Sequence, residues 1–167
     1  MSARRVRAGH AKAERRHGRT LPLTFRIHWD GDFYSVAYAK AWAQVIRANP
    51  DITFWAYTRS FVGRVNVVPV LAGIPNLALY LSADVHNAAA ARRVADAHPS
   101  VRIAWCGATW DEARTVADTV GELPGVRCPE NTRKVPLVSD DGRGACDTCG
   151  LCVHGRKNIQ FSIRKGR

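Results

Sequence analysis

Three cysteines lie close together in the last quarter of the chain, in the run Cys146-Asp-Thr-Cys149-Gly-Leu-Cys152. A fourth, Cys128, lies upstream and is followed by Pro129. Bacterial ferredoxins use the same back-to-back Cys-x₂-Cys spacing, completed by a remote cysteine that precedes a proline, to hold an iron–sulfur cluster. Structural zinc sites instead combine two separate cysteine pairs, and a triple plus a lone cysteine does not divide in that way. The spacing therefore predicts a [4Fe-4S] cluster on these four cysteines, with zinc as the alternative.

Two further residues bear on this site. Cys106 has no cysteine close to it in sequence and is interpreted as a small buried apolar residue at a strand end. His154 lies two residues after Cys152 and is an alternative to Cys128 as the fourth ligand. With no secretory signal recognisable, we expect a reducing cytoplasm, where clustered cysteines favour metal over disulfides. Whether the metal only folds the C-terminal segment or takes part in a reaction is left open.

A second group of reactive side chains follows the predicted strands. His28, Asp30 and Asp32 follow the first strand and Asp84 follows the third. Because ligands gather at the carboxyl ends of parallel strands, we interpret these four as candidate catalytic residues for acid–base work or for binding a divalent ion. The alternative is ordinary turn chemistry, since Asp-Gly-Asp is a good turn. No P-loop, dinucleotide-binding glycine motif or serine-hydrolase elbow is present in the sequence, and whether the protein is an enzyme stays open.

The elements that must position these residues alternate between strand and helix at intervals of about 25 residues, which predicts a parallel sheet with helical crossovers. The fold class is α/β, either a partial β/α barrel or an open layer, followed by a Cys-rich metal loop. Ser35 and Thr109 are expected to cap helices. Strands are predicted at Leu23–Trp29, Ile52–Tyr57, Leu77–Leu81, Val101–Cys106 and Gly125–Cys128, with two short ones at Val135–Val138 and Ile159–Ile163.

The net charge of +11 is concentrated at the two ends of the chain. Residues 1–20 are expected to form a basic, disordered leader, and residues 21–167 a single α/β domain in which 127–163 bind the cluster. Basic tails on a nearly neutral body indicate contact with a polyanion such as nucleic acid, or else serve solubility. The longest apolar runs fall well short of the roughly 20 residues that a membrane span needs, so no membrane contact is predicted.

The sequence also resembles a known family. The segment Arg26-Ile-His-Trp-Asp-Gly-Asp-Phe-Tyr-Ser35, the stretch from Asn49-Pro50 to Ser60, the stretch from Pro75 to Asp84 and the four cysteines are similar to phage and actinobacterial proteins labelled gene product 88. Their β/α pattern is distantly similar to radical-SAM-type barrels. The resemblance implies a partial barrel with an iron–sulfur centre. The Cys-x₃-Cys-x₂-Cys loop of radical-SAM enzymes is absent, so radical chemistry is not implied.

We therefore expect an iron–sulfur, phage-type protein of the host cytoplasm, with redox or uncharacterised chemistry at the strand ends. The alternative is a nucleic-acid-binding or regulatory protein with a structural metal site and basic tails. A phage protein that occupies a host protein is a third hypothesis, which the sequence does not test.

Overall fold

A computed structural model describes residues 3–18, 20–140 and 143–164. In this part of the chain, strands and helices alternate as the sequence predicted, and the final strand follows a Cys-rich segment. The elements in chain order are α1 Ala3–His17, β1 Thr24–Ile27, α2 Val36–Arg47, β2 Thr53–Thr58, α3 Val68–Leu71, β3 Leu77–Ala83, α4 Ala88–Ala97, β4 Arg102–Gly107, α5 Trp110–Asp118, β5 Val126–Arg127, α6 Ala145–Cys149 and β6 Ile159–Ser162.

The strands form one six-stranded sheet in the order β1-β2-β3-β4-β6-β5, and every neighbouring pair is parallel. The predicted α/β class with a parallel sheet is therefore confirmed. Strands β1 and β5 are the two edges, so the sheet is open. Strand β6 inserts between β4 and β5, which places the last strand of the described chain inside the sheet.

One face of the sheet packs on the helices. Alternate strand residues, among them Ile27, Ala56, Leu81 and Trp105, join a buried cluster with the apolar faces of α2, α4 and α5. The helix starts follow the predicted capping. The Ser35 hydroxyl accepts the amide of Tyr38 at 3.1 Å, and the Thr109 hydroxyl accepts the amide of Glu112 at 3.2 Å.

The opposite face of the sheet packs on the Cys-rich segment. A second buried cluster joins Trp55, Tyr80, Ala104 and Ile159 of four strands to Cys152 and Val153. Parallel sheets are normally buried on both faces because helical crossovers cover them. Here the second cover is a loop-rich segment that follows β5, so the cysteines lie against the sheet itself.

The basic leader differs from its prediction. Where disorder was expected, residues 3–17 form α1. Its contacts explain why. The Arg7 guanidinium bonds both carboxylate oxygens of Asp51 at 2.6 and 2.9 Å, and Asn49 as well. Val6 packs on the main core, and the Glu14 carboxylate accepts the amide of Leu21. These contacts join residues far apart in sequence, and local composition does not reveal them.

The prediction of a short strand at Val135–Val138 is wrong. Only a single antiparallel bridge forms there, between Val138 and Gly144. Pro136 lacks an N–H group for a sheet ladder, and Leu137 and Val138 are more than half exposed. The predicted strand at Ile159–Ile163 is confirmed as β6, one residue shorter.

A substitution at Gly107 tests how closely β4 packs under α5. A Cβ at this position would lie 2.5 Å from the backbone nitrogen of Ala113 and 2.8 Å from the carbonyl oxygen of Thr109. We expect Gly107→Ala to lower the free energy of unfolding by about 2 kcal/mol, because backbone atoms cannot move aside cheaply. Chemical denaturation monitored by circular dichroism measures the change.

Gly9→Ala is the matched control, because a Cβ at Gly9 would meet no atom within 4 Å. Gly9 lies inside α1, so alanine there should raise the free energy of unfolding by roughly 0.5–1 kcal/mol. An unchanged stability for Gly9→Ala would contradict a folded α1, and an unchanged stability for Gly107→Ala would contradict the close β4–α5 contact.

Candidate metal centre

The four predicted ligand cysteines line one small cavity between the sheet and the Cys-rich segment. Cys128 follows β5, Cys146 and Cys149 lie one helical turn apart in α6, and Cys152 lies in the turn after it. All five cysteines of the chain are unpaired. The fold therefore brings together four thiols from two separate segments of the chain. In the sequence, only their spacing indicated that they belong together.

Side chains from the sheet hold this segment in place. The Tyr80 hydroxyl donates to the carbonyl oxygens of Leu151 at 3.3 Å and Lys157 at 3.1 Å. At the edge strand, the hydroxyl of Thr24 donates to the carboxylate of Asp147 at 2.5 Å. These bonds link β1 to α6 and β3 to the turns that follow α6.

A left-handed glycine ends α6 and turns the chain back towards the cavity. Gly150 has φ +72° and its N–H donates to the carbonyl of Cys146 at 2.7 Å. This is the usual helix C-cap, a conformation that favours glycine. The turn lets Cys152 face the same cavity as Cys146 and Cys149.

Burial favours the neutral form of three of these thiols. It raises the pKa of Cys146 to about 11, against the opposing charge of Arg26, and the pKa of Cys152 to about 12. The Cys128 pKa is raised by burial as well. The Tyr57 hydroxyl bonds the sulfur of Cys152 and works in the opposite direction, because it stabilises the thiolate. A positively charged metal centre would supply the larger compensation that thiolates in this environment need.

The donor set fits a thiolate-bound centre, but the four cysteine side chains leave only a small space between them. Four sulfur ligands are characteristic of zinc and of iron–sulfur clusters. The cavity between them has a volume of about 20 Å³, room for one water-sized particle. Among the described residues, no group of three or more His, Cys, Asp or Glu side chains is already placed to hold a metal ion. Binding would therefore need the Cys-rich segment to adjust.

A larger chamber of about 640 Å³ adjoins the cysteine cavity and shares Cys128, Cys146 and Cys152 with it. Its floor is the face of the sheet opposite the helices. Most of its walls are aromatic or aliphatic, and Arg26 is the one Lys or Arg side chain among its described lining residues. The strand residues in its lining are Arg26, Trp55, Tyr57, Ser82, Ala104, Cys106 and Phe161.

His28 does not share the chamber with Arg26, although residues two apart on a regular strand lie on the same face. Strand β1 ends at Ile27, and His28 has φ +57°, which breaks the alternation. Its ring packs against Phe33, Tyr38 and Trp42, with Nε2 3.0 Å from the Tyr38 hydroxyl. Burial lowers the pKa of His28, and its buried Nδ1 has no hydrogen-bond partner among the described residues.

The carboxylates that were predicted to be catalytic fix loops through hydrogen bonds and an ion pair. Asp32 accepts bonds from the Thr58 hydroxyl and the Arg59 amide, both at 2.6 Å, and Asp84 pairs with the Arg59 guanidinium at 2.8 Å. This pairing lowers the pKa of Asp84. Asp30 accepts only the amide of Gly31 among the described residues.

The predicted catalytic group therefore stays apart from the cysteines. His28, Asp30, Asp32 and Asp84 follow β1 and β3, yet none of them lines the cysteine cavity or the chamber. Strand position alone would put Cys128, which follows β5, at the same edge of the sheet as these residues, but the two cavities that the ligand cysteines line include none of them. Their catalytic role stays a prediction.

His154 and Cys106 also have distinct surroundings. His154 is exposed and contributes to a separate surface cavity beside Gly155, so the structure does not bring it to the four thiols. Cys106 lies at the end of β4 and lines the chamber, where burial raises the pKa of its thiol to about 11. Its proximity to the chamber was not predicted.

Sequence reasoning missed Arg26, Trp55 and Tyr57 as site residues. The signal was present in the strand alternation, because each lies between residues that pack on the helices. The sequence does not reveal that a loop covers the second face and leaves a chamber.

An open parallel α/β sheet with a four-cysteine segment over one face defines the class of protein. Residues 3–155 match the family described as Gene product 88, and the chain belongs to that family. This confirms the resemblance seen in the sequence.

Two phage proteins are clear relatives. The chain is 46% identical over 147 residues to the Gene 88 protein of Mycobacterium phage L5, covering 88% of this chain and 57% of the relative. It is 43% identical over 145 residues to the Gene 88 protein of Mycobacterium phage D29, covering 86% and 56%. The chain thus spans little more than half the length of these relatives. No solved structure matches it. Throughout the described residues, the helices are too short or too polar to cross a membrane.

Tyr80→Phe tests the attachment of the Cys-rich segment to the sheet. Loss of the hydroxyl leaves the carbonyls of Leu151 and Lys157 without this donor, so the free energy of unfolding should fall by about 1–2 kcal/mol. Hydrogen exchange should also rise in residues 145–157. Tyr34→Phe is the control, because Tyr34 is 74% exposed and its hydroxyl makes no hydrogen bond within the described residues. Equal stability of the two variants would contradict the anchoring role.

Proposed function

We propose that this protein binds one [4Fe-4S] cluster through Cys128, Cys146, Cys149 and Cys152. The observation that carries the proposal is the convergence of these four unpaired thiols on one cavity. Because burial raises the pKa values of Cys128, Cys146 and Cys152, these three thiols are poor candidates for reactive nucleophiles on their own. A shared metal centre accounts for their placement together.

The arrangement of the ligands supports a cluster over a single zinc ion. Three cysteines come from α6 and its following turn, and the fourth comes from the end of β5. A cubane presents several irons over its surface, so neighbouring thiolates can each bind a different one. Zinc on the same four sulfurs is the alternative.

When bound, such a cluster would supply one-electron chemistry. The described residues would control its environment. The Tyr57 hydroxyl bonds the sulfur of Cys152, and hydrogen bonds to ligand sulfurs tune cluster potentials. Burial under the Cys-rich segment limits water access, while the chamber leaves Cys128, Cys146 and Cys152 accessible from one side. We further propose that redox or related chemistry takes place at this chamber, in the cytoplasm of an infected host cell.

Serine substitutions test the ligand set. Purified anaerobically, the wild-type protein should be brown and contain about four irons and four acid-labile sulfides per chain. Cys149→Ser should lose most of the iron and sulfide, because serine is a poorer ligand for iron. Cys106→Ser is the matched control and should retain the full content, since Cys106 does not line the cysteine cavity.

Iron and sulfide analysis with visible absorbance measures the outcome. A colourless wild-type protein with one zinc per chain would overturn the cluster assignment in favour of zinc. Equal loss of iron in Cys106→Ser and Cys149→Ser would contradict the four-cysteine ligand set.

A second candidate function, nucleic-acid binding, has one specific observation in its favour. Five exposed basic side chains lie within one sector of α1, since their positions repeat with the helical period. None of them makes an ion pair within the described residues. A helix face of this kind suits contact with phosphates. The five residues are Arg4, Arg5, Lys12, Arg15 and Arg16.

Neutralising this face tests the second candidate. Replacing all five residues by glutamine should weaken binding to labelled duplex DNA or single-stranded RNA and reduce the slope of log K against log salt by about 3–5. Fluorescence anisotropy across a salt series measures both. A control with the same change in net charge replaces five exposed basic residues elsewhere, Lys40, Arg47, Arg64, Arg93 and Arg114. Equal weakening in the two variants would contradict a site on α1.

A further inference from the structure

The chamber beside the cysteines contains a cation that makes no hydrogen bond or ion pair with the described residues. Arg26 extends from β1 into the lining of the chamber, where its guanidinium lies 4.7 Å from the centre of the Trp29 ring and 5.1 Å from that of Tyr57. These rings fix the position of the plane but accept no conventional hydrogen bond.

A guanidinium carries five N–H donors and is always charged at physiological pH. Within residues 3–18, 20–140 and 143–164, Arg26 makes no hydrogen bond and no ion pair, and its Nε is buried without an acceptor. Buried donors left in this state are costly, and a water, an ion or a ligand in the chamber would supply the missing acceptor.

Two carboxylates also line the chamber, and neither pairs with Arg26. Asp147 accepts the Thr24 hydroxyl at 2.5 Å. Glu130 has another partner of its own. Arg26 is therefore positioned by aromatic packing and shares the lining of the chamber with these acids without pairing with them.

The rest of the lining suits a flat apolar group. Trp29, Trp55, Tyr57 and Phe161 contribute aromatic surface, and Leu137 and Ala104 contribute aliphatic surface. The buried indole N–H of Trp55 also lacks an acceptor among the described residues. The volume of about 640 Å³ is in the range of small-molecule pockets.

We propose that the chamber binds a small molecule with a planar apolar body and one anionic group, a carboxylate, sulfonate or phosphate, which Arg26 receives through its paired N–H donors. The aromatic walls cover the body of the ligand, and Cys146 and Cys152 also belong to the lining of the chamber. The ligand would thus lie against the proposed cluster, but its binding does not depend on the cluster being present.

A matched pair of fluorescent probes tests this inference. Anilinonaphthalene sulfonate has a planar apolar body with an anionic group, and phenylnaphthylamine has the same rings without the charge. Titrated into the full-length protein, the sulfonate should bind about ten- to a hundredfold more weakly to Arg26→Gln than to the wild type, from the loss of charge-assisted hydrogen bonds. Binding of the neutral probe should change less than about twofold. Arg26→Lys should lie between, because it keeps the charge and loses the planar fork.

Arg114→Gln is the control for net charge, because Arg114 is exposed on α5 and does not line the chamber. It should bind both probes as the wild type does. The proposal is overturned if Arg26→Gln binds the sulfonate as tightly as the wild type, or if Arg114→Gln weakens it equally. Either result would leave Arg26 as a counter-charge to the cysteines.

The Cys149→Ser variant separates this inference from the proposed cluster. Cys149 lines the cysteine cavity and not the chamber, so sulfonate binding that depends on Arg26 should persist in Cys149→Ser. A wild-type protein that carries no cluster but keeps this binding would overturn the cluster and leave the anion site intact. A wild-type protein that carries the cluster but lacks the binding would overturn the anion site and leave the cluster intact.

If circular dichroism shows that Arg26→Gln does not fold, a competition experiment with the wild-type protein tests the inference instead. Naphthoate should displace bound anilinonaphthalene sulfonate at a concentration about tenfold or more below that of naphthylmethanol, its neutral analogue. Equal displacement by the two would overturn the anion site.

Discussion

A parallel sheet must be covered on both faces, and in this protein that requirement has two different solutions. Helices α2, α4 and α5 cover one face with ordinary apolar packing. The other face is covered by a segment with few regular elements, which contributes Cys152 and Val153 to the second core. The placement of the cysteines, the chamber beside them and the exposure of Arg26 to that chamber all follow from this cover, because a loop closes a flat face less completely than a helix does.

Much of the fold could be predicted from the sequence because its signals are local. The caps at Ser35 and Thr109, the helix periods and the apolar strands each report on a few neighbouring residues, and apart from the strand at Val135–Val138 they appear in the structure. The insertion of β6 between β4 and β5 could not be predicted, because pairing order depends on contacts between distant segments. The formation of α1 was missed for the same reason, since Arg7 finds its partners at Asn49 and Asp51.

The candidate site shows a similar division. Cysteine spacing led to four thiols that do line one cavity, whereas chain position at strand ends led to His28, Asp32 and Asp84, which do not. The positive φ of His28 turns its ring onto Tyr38 and Trp42. The alternating pattern of a strand does not predict this backbone conformation. Arg26 and Trp55 each have a buried N–H group without an acceptor among the described residues. Both lie on the strand face that periodicity alone assigns to a core.

The place of β6 has a consequence for assembly. Strand β5 pairs only with β6 within the described sheet, and β6 is the later of the two in the chain. Cys128 donates its backbone N–H to Gln160 of β6, so the lone cysteine gains its position only after the last strand has been synthesised and has docked. A nascent chain emerging from the ribosome therefore presents Cys146, Cys149 and Cys152 before it has a fixed fourth thiol, and the closing of the sheet becomes the step that completes the set.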